Sequence, residues 1–188
     1  LRSGKTAGVF QLESSGMTAF MQTLKPEKLE DIIAGISLYR PGPMQQIPDY
    51  VKARHDSSQI KYLHPLLKKS LSLTYGAIVY QEQVMQIVRD LAGFSLGQSD
   101  IIRRAMAKKK PELLQRYEKL FIYGGKLEDS DAAAVPGAIN NGVPEEIARK
   151  IYTYILSFAG YAFNKAHAAG YAVLAYQTAW LKHYYPCE

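Results

Sequence analysis

The sequence predicts a mostly α protein of about seven helices with a few short strands. Three observations carry that expectation. Apolar residues return at helical spacing in segment after segment. Prolines and glycines stand where such segments begin and end. Only Ala7–Leu12 and Tyr75–Tyr80 read as short apolar runs of strand type. The totals agree with a globular chain: 188 residues, 47% hydrophobic and 21% charged, enough for one core or two lobes. Cys187 is the single cysteine, so no disulfide framework can form within the chain, and a reducing interior fits. No apolar run approaches the roughly 18 residues of a membrane helix, and no signal peptide opens the sequence.

Taken in order, Ala7–Leu12 is expected to be extended, and Ser14 or Ser15 caps the first helix. Met17, Phe20, Met21 and Leu24 form one amphipathic face of that helix. Pro26 opens the next helix, with Glu27, Glu30 and Asp31 at its positive end and Leu29, Ile32, Ile33 and Ile36 inward. That helix stops at Tyr39–Pro43 (YRPGP), a rigid turn that holds Arg40 in place. Residues 44–75 are irregular apart from a short helix after His64-Pro65. Tyr75–Tyr80 reads as a buried strand. A helix with Val84, Ile87, Val88 and Leu91 inward comes next and ends at Gly93. Pro111 opens a helix with Leu113, Leu114, Tyr117 and Phe121 as its apolar positions. Residues 123–142 form an exposed connection, rich in glycine and with the acidic residues Glu128, Asp129 and Asp131. Pro144 opens a helix with Ile147, Ile151, Tyr154, Ile155 and Phe158 inward. Gly160 breaks it, Asn164 caps the last helix, and Ala166, Ala169, Val173, Tyr176, Trp180 and Tyr184 make one stripe along that helix.

The charge is unevenly placed. Of the net +6, residues 1–60 carry +1 (7 basic, 6 acidic), residues 61–119 carry +6 (11 and 5) and residues 120–188 carry −1 (5 and 6). The excess centres on Ser99–Pro111 (SDIIRRAMAKKKP), where Arg103, Arg104, Lys108, Lys109 and Lys110 place five cations within eight residues. Ser99 is expected to cap this helix and Asp100 to sit in its first turn. Ile101, Ile102, Ala105 and Met106 supply a narrow apolar face. Two readings stand side by side. The lysines can be solvated residues that complement the helix C-terminus, or the run faces a polyanion: nucleic acid, a nucleoside triphosphate or an anionic membrane surface.

A second candidate site lies between the last two helices, from Tyr161 to Tyr171. Lys165 and His167 fall in the first turn of a helix, where unpaired backbone N–H groups suit an anion. A lysine there opposes the helix dipole, which is how a functional placement can look. Tyr161 and Tyr171 can stack on a base, or simply belong to the core. Other chemistries lack support. The histidines show no zinc-ligand spacing, there is no phosphate-binding Gly-rich loop or nucleophile elbow, and no Asp-x-Asp pair lies in an apolar strand. If the chain handles phosphates, it is expected to position them and to leave metal-assisted chemistry to another segment.

Six motifs, in order and nearly end to end, resemble the bacterial DNA polymerase III alpha subunits, the C-family replicative polymerases. They are Gly8–Met17 (GVFQLESSGM), Tyr39–Pro43, Thr74–Met85 (TYGAIVYQEQVM), Arg103–Pro111 (RRAMAKKKP), Phe158–His167 (FAGYAFNKAH) and Tyr176–Leu181 (YQTAWL). The resemblance implies an irregular helical fingers domain, with catalytic aspartates and Mg²⁺ held mainly by a palm outside these residues. Within it, 1–93 would be palm-proximal, 94–122 would carry the basic helices that face nucleotide and DNA, 123–142 would be a variable connection and 143–188 a C-terminal helical hairpin. It implies that Arg103 and Arg104 contact the incoming dNTP, with Lys165, His167 and Tyr161 near it. It further implies that Arg40, Lys108, Lys109, Lys110 and Tyr171 meet DNA or phosphate. The implied partners are template-primer DNA, dNTP, the rest of the polymerase chain, sliding clamp and clamp loader, in the bacterial cytoplasm at the nucleoid and without a membrane. The family commonly has glycine where Ala107 stands, and residues 123–136 are longer than in some members. The alternative from the residues alone is a standalone basic helical module that binds nucleic acid without catalysis.

Overall fold

The computed structural model describes residues 1–108, 111–126, 133–158, 161 and 163–186, with backbone alone at Met106, Ala107 and Pro111. Among the described residues there are nine α-helices, more than the seven expected. They are α1 (Ser15–Leu24), α2 (Leu29–Leu38), α3 (Ile47–His55), α4 (Leu67–Leu71), α5 (Gln81–Ala92), α6 (Leu96–Ala107), α7 (Pro111–Tyr123), α8 (Glu145–Phe158) and α9 (Lys165–Tyr184). Of these, α3 lies in the stretch read as irregular, while the five-residue α4 is the short helix expected after His64-Pro65. The mostly α class holds.

Neither expected strand forms among the described residues. Gln11 and Gly8 adopt positive φ within Ala7–Leu12, and the segment closes on itself through Val9 N–H to Thr6 O (3.0 Å) and Leu12 N–H to Val9 O (3.0 Å). Its apolar residues still serve the core: Val9 and Leu12 are buried, while Thr178 of α9 accepts a hydrogen bond from Phe10 N–H. In Tyr75–Tyr80, Tyr75 and Gly76 have positive φ, and of these six residues Tyr80 makes a β-bridge, parallel to Phe163. A sheet cannot grow there, because the partner segment turns into α9 two residues later. In the connection 123–142, Gly125 and Val135 exchange backbone hydrogen bonds (2.8 and 2.7 Å), and Val135 and Ala138 are buried, so the connection is not exposed throughout. Glu128, Asp129 and Asp131 lie outside the described residues.

Helix ends obey local chemistry, with shifts at α2 and α6. Ser14 caps α1 by accepting from Met17 N–H. α2 starts at Leu29 rather than Pro26, since the Asp31 carboxylate turns back to accept from the Glu27 and Lys28 amides (2.8 and 3.1 Å). α6 starts at Leu96, three residues before the expected cap. Ser95 and Gln98 make a reciprocal capping pair (Ser95 N–H to Gln98 Oε1, 2.8 Å; Gln98 N–H to Ser95 Oγ, 3.2 Å). Ser99 is instead fully buried and its hydroxyl donates to the Leu96 carbonyl. Gly93 closes α5 at φ 77°, as its spacing predicts.

Two hydrophobic cores organise the helices. The first gathers α1, α2, part of α3 and α9, with Val79 and Tyr80. The second gathers α4 to α8, with Ile78, Val135 and Val143. α9 lies along α2 through Ala168, Ala172 and Ala175, whose small side chains let the helices approach closely. The expected apolar stripe of α9 is therefore its outer face: Val173, Tyr176, Trp180 and Tyr184 are exposed. α8 packs against α7 in the other core. After a first passage between α3 and α4, the chain passes between cores again at residues 78–81 and between α8 and α9. The last two crossings are stitched together by Phe163 N–H to Val79 O (3.1 Å) and Gln81 N–H to Phe163 O (3.0 Å).

Candidate nucleotide and nucleic-acid site

At the crossing of the two cores, the start of α5 is reached by both the cationic helix and the last helix, through Gln81 and Glu82. Gln83 fixes the first segment of the crossing. Its Oε1 accepts from Val79 and Tyr80 N–H (2.8 and 3.0 Å), while its Nε2 donates to Thr74 Oγ1 (2.7 Å) and Ser70 O (3.1 Å). Four hydrogen bonds on one buried amide leave that segment no second arrangement of equal satisfaction.

Arg103 projects from α6 to the start of α5. Its Nε donates to Asp100 Oδ1 (2.8 Å), its Nη2 forms an ion pair with the same oxygen (2.8 Å), and its Nη1 donates to Gln81 Oε1 (3.3 Å). Arg104 makes one ion pair, Nη2 to Asp100 Oδ2 (2.7 Å). The two arginines are thus unequal: Arg103 is 28% exposed and Arg104 67%. The hydrogen bond from Arg103, ahead of the charges of both arginines, holds the Asp100 carboxyl below the usual carboxylate range. Lys108 is exposed just past the end of α6. Lys109 and Lys110 lie outside the described residues.

The start of α9 differs from expectation. Its first amide, Lys165 N–H, is already bound to the Glu82 carboxylate (3.1 and 3.2 Å), and His167 N–H is bound to the Asn164 cap (2.9 Å). These two amides are therefore committed, and the site is not an open helix N-terminus. The carboxylate of Glu82 explains how a lysine is tolerated there: an anion sits against the positive end. The Lys165 ammonium lies 5.4 Å from the centroid of the buried Tyr80 ring. Burial, with Glu30 and Glu82 nearby, raises the Tyr80 phenol well above its ordinary value, so it stays a neutral aromatic surface.

Aromatic rings run outward from this point. The Arg40 guanidinium sits 3.6 Å from the Phe163 centroid. Phe163 meets His167 edge-on at 5.3 Å, His167 meets Tyr171 at 4.3 Å, and Tyr171 meets Phe10 at 5.2 Å. Tyr161 is half exposed and its ring lies against Gly42, which has φ 104° and no room for a Cβ. So the rigid YRPGP turn is packed on both sides of the site, by Phe163 and by Tyr161. Of the residues singled out in the sequence, Arg103, Lys165, His167, Tyr171, Tyr161 and Arg40 converge on the crossing. Arg104 stands on the adjacent face of α6.

The family model described as "Bacterial DNA polymerase III alpha subunit finger domain" matches residues 1–129. The chain belongs to that finger-domain family. Proteins named DNA polymerase III subunit alpha match it over its whole length. That of Halalkalibacterium halodurans is 50% identical over 186 residues, covering 99% of this chain and 16% of that protein. Those of Thermus aquaticus and Neisseria meningitidis serogroup A are each 47% identical, covering all of this chain and 15% of those proteins. The chain thus spans about a sixth of the length of these relatives. The finger-domain match ends before α8, so Phe163 and the start of α9 join the site from beyond it.

Polymerases of this kind imply a divalent cation. The residues gathered at the crossing do not make a site for one. Asp100 is taken up by two guanidinium groups and Glu82 by a backbone amide, and no group of three potential ligands occurs among the described residues. No helix of the described residues is long and apolar enough to cross a membrane.

Four contributors are not legible as site residues in the sequence. Asp100 had a signal, its i,i+3 and i,i+4 spacing to the two arginines, which placing it in a first turn obscured. Gln81, Glu82 and Phe163 had none, because their hydrogen bonds span 22 to 84 residues of chain.

Proposed function

We propose that this chain is the nucleotide- and DNA-facing finger of a bacterial replicative DNA-directed DNA polymerase. Arg103 and Arg104 bind the triphosphate of the incoming dNTP, with Lys165, His167 and Tyr161 beside the nascent base pair. Arg40, Lys108, Tyr171 and the neighbouring Lys109 and Lys110 meet template-primer DNA or its phosphates. The reading is supported by family membership combined with one observation: Arg103 of α6 and the aromatic, cationic start of α9 both fasten to the first turn of α5, through Gln81 and Glu82.

Guanidinium groups suit this work because their planar forks pair two phosphate oxygens at once and oppose the charge that builds during phosphoryl transfer. The chain's residues bind and orient. Metal chemistry belongs to this reading only through Mg²⁺ held outside these 188 residues, and no step of it is assigned to them. The further partners are the rest of the polymerase chain and, through it, sliding clamp and clamp loader, in the bacterial cytoplasm.

The test is Arg103→Ala and Arg104→Ala in a polymerase subunit carrying this chain. The expected result is a large rise in KM for dNTP or a fall in kcat, with template-primer affinity mostly kept. Weakened, salt-sensitive DNA binding without a nucleotide effect would favour a basic nucleic-acid module instead.

A further inference from the structure

We infer that Asp100 is the counter-anion of the resting nucleotide site. Its Oδ1 fixes Arg103, while its Oδ2 holds Arg104 until a triphosphate takes that guanidinium away and reclaims it when pyrophosphate leaves. The inference rests on the proposed nucleotide role of the arginines and assigns a residue to it that family membership does not supply.

The geometry divides the carboxylate between two tasks. Three contacts secure Arg103, a hydrogen bond and an ion pair to Asp100 Oδ1 and a hydrogen bond to Gln81, and the side chain is mostly covered. One bond secures Arg104, to Oδ2, and that side chain is mostly in solvent. An exposed single ion pair one helical turn apart is weak and exchanges readily. Arg103 is therefore the fixed member and Arg104 the member able to change partners. A ligand that uses Arg104 must displace a carboxylate tethered on the same helix, so Asp100 weakens every phosphate ligand that engages Arg104. The same competition favours departure of the product, since the carboxylate stands ready to recover the arginine.

The perturbation is Asp100→Asn in a polymerase subunit carrying this chain. The amide oxygen can keep the acceptor that faces Arg103, while the negative charge that holds Arg104 is lost. Template-primed synthesis is measured with varied dNTP and with pyrophosphate as product inhibitor. The inhibition constant for pyrophosphate is expected to fall about two- to fivefold, the range of an exposed pair, and KM for dNTP to fall in the same direction. Asp100→Glu, which retains the charge, restores the original constants. In an Arg104→Ala background, Asp100→Asn has no effect on either. The inference is overturned if Asp100→Asn raises both constants, leaves pyrophosphate inhibition unchanged, or acts equally with Arg104 removed. If instead Arg103→Ala and Arg104→Ala themselves leave dNTP and pyrophosphate constants untouched, the nucleotide reading is what has failed.

Discussion

Removing the Arg54 guanidinium should cost the fold more than any surface change, because it strands a buried carboxylate. Asp31 and Arg54 are 4% and 7% exposed at their side chains. Arg54 donates to Asp31 through Nε (3.1 Å) and Nη2 (2.8 Å), and its Nη2 also reaches the Lys25 carbonyl (3.1 Å). The pair ties the start of α2 to the end of α3, and α2 in turn carries the Arg40 turn and seats α9. Losing one partner of a buried pair costs about 3–5 kcal/mol. Asp31 keeps two backbone amides, Glu27 and Lys28, so Arg54→Met is placed near the lower end, at about 3 kcal/mol. For a chain of this size that is a fall in Tm of roughly 6–12 °C.

The acid dependence gives a second readout. Burial, the largest influence on Asp31, would raise its pKa, but the Arg54 hydrogen bonds and the two amides outweigh it, and the carboxyl sits below its ordinary value. A depressed folded pKa means the stabilisation is complete above the unfolded value of about 3.9 and is lost as pH falls through the folded one. Urea unfolding of wild type and Arg54→Met should therefore show a gap that is full at neutral pH and shrinks below about pH 4. A gap under about 1 kcal/mol that does not change with pH would refute the reasoning and leave Asp31 held by its amides alone.

The same structure sets three further expectations. Gln83→Leu leaves the Val79 and Tyr80 amides without their acceptor and should cost about 2–4 kcal/mol, with faster amide exchange at those two residues. Ala172→Leu overpacks the α2–α9 contact and should destabilise by about 1–3 kcal/mol, whereas Val173→Ser on the outer face should stay within about 0.5 kcal/mol; equal effects would mean that the helix is rotated. The purified 188 residues with Mg²⁺ and primed template should show no templated synthesis in a primer-extension assay.

Where helix starts and stops depend on neighbours in sequence, they can be read in advance. Ser14, Gly93, Pro144 and Asn164 each act as their local chemistry requires. The shifted start of α6 is equally local, but the Ser95–Gln98 pair competes with a plausible cap at Ser99, and only burial of Ser99 decides between them. The strand expectations fail for a different reason. A strand needs a partner edge, and no sequence pattern says whether one is present.

By itself the sequence determined the helical class, most helix ends, the cationic face of α6 and the identity of most residues that gather at the crossing. Those depend on periodicity, capping and charge, which act over a few residues. Only the tertiary structure decided which face of α9 turns inward, since alanines and larger apolar residues alternate around that helix and close packing against α2 selects the smaller set. It also decided that Glu82 occupies the start of α9 and that Arg103 leans on Gln81. Those contacts join groups far apart in the chain, and their partners are set by how two cores meet rather than by what stands next to them.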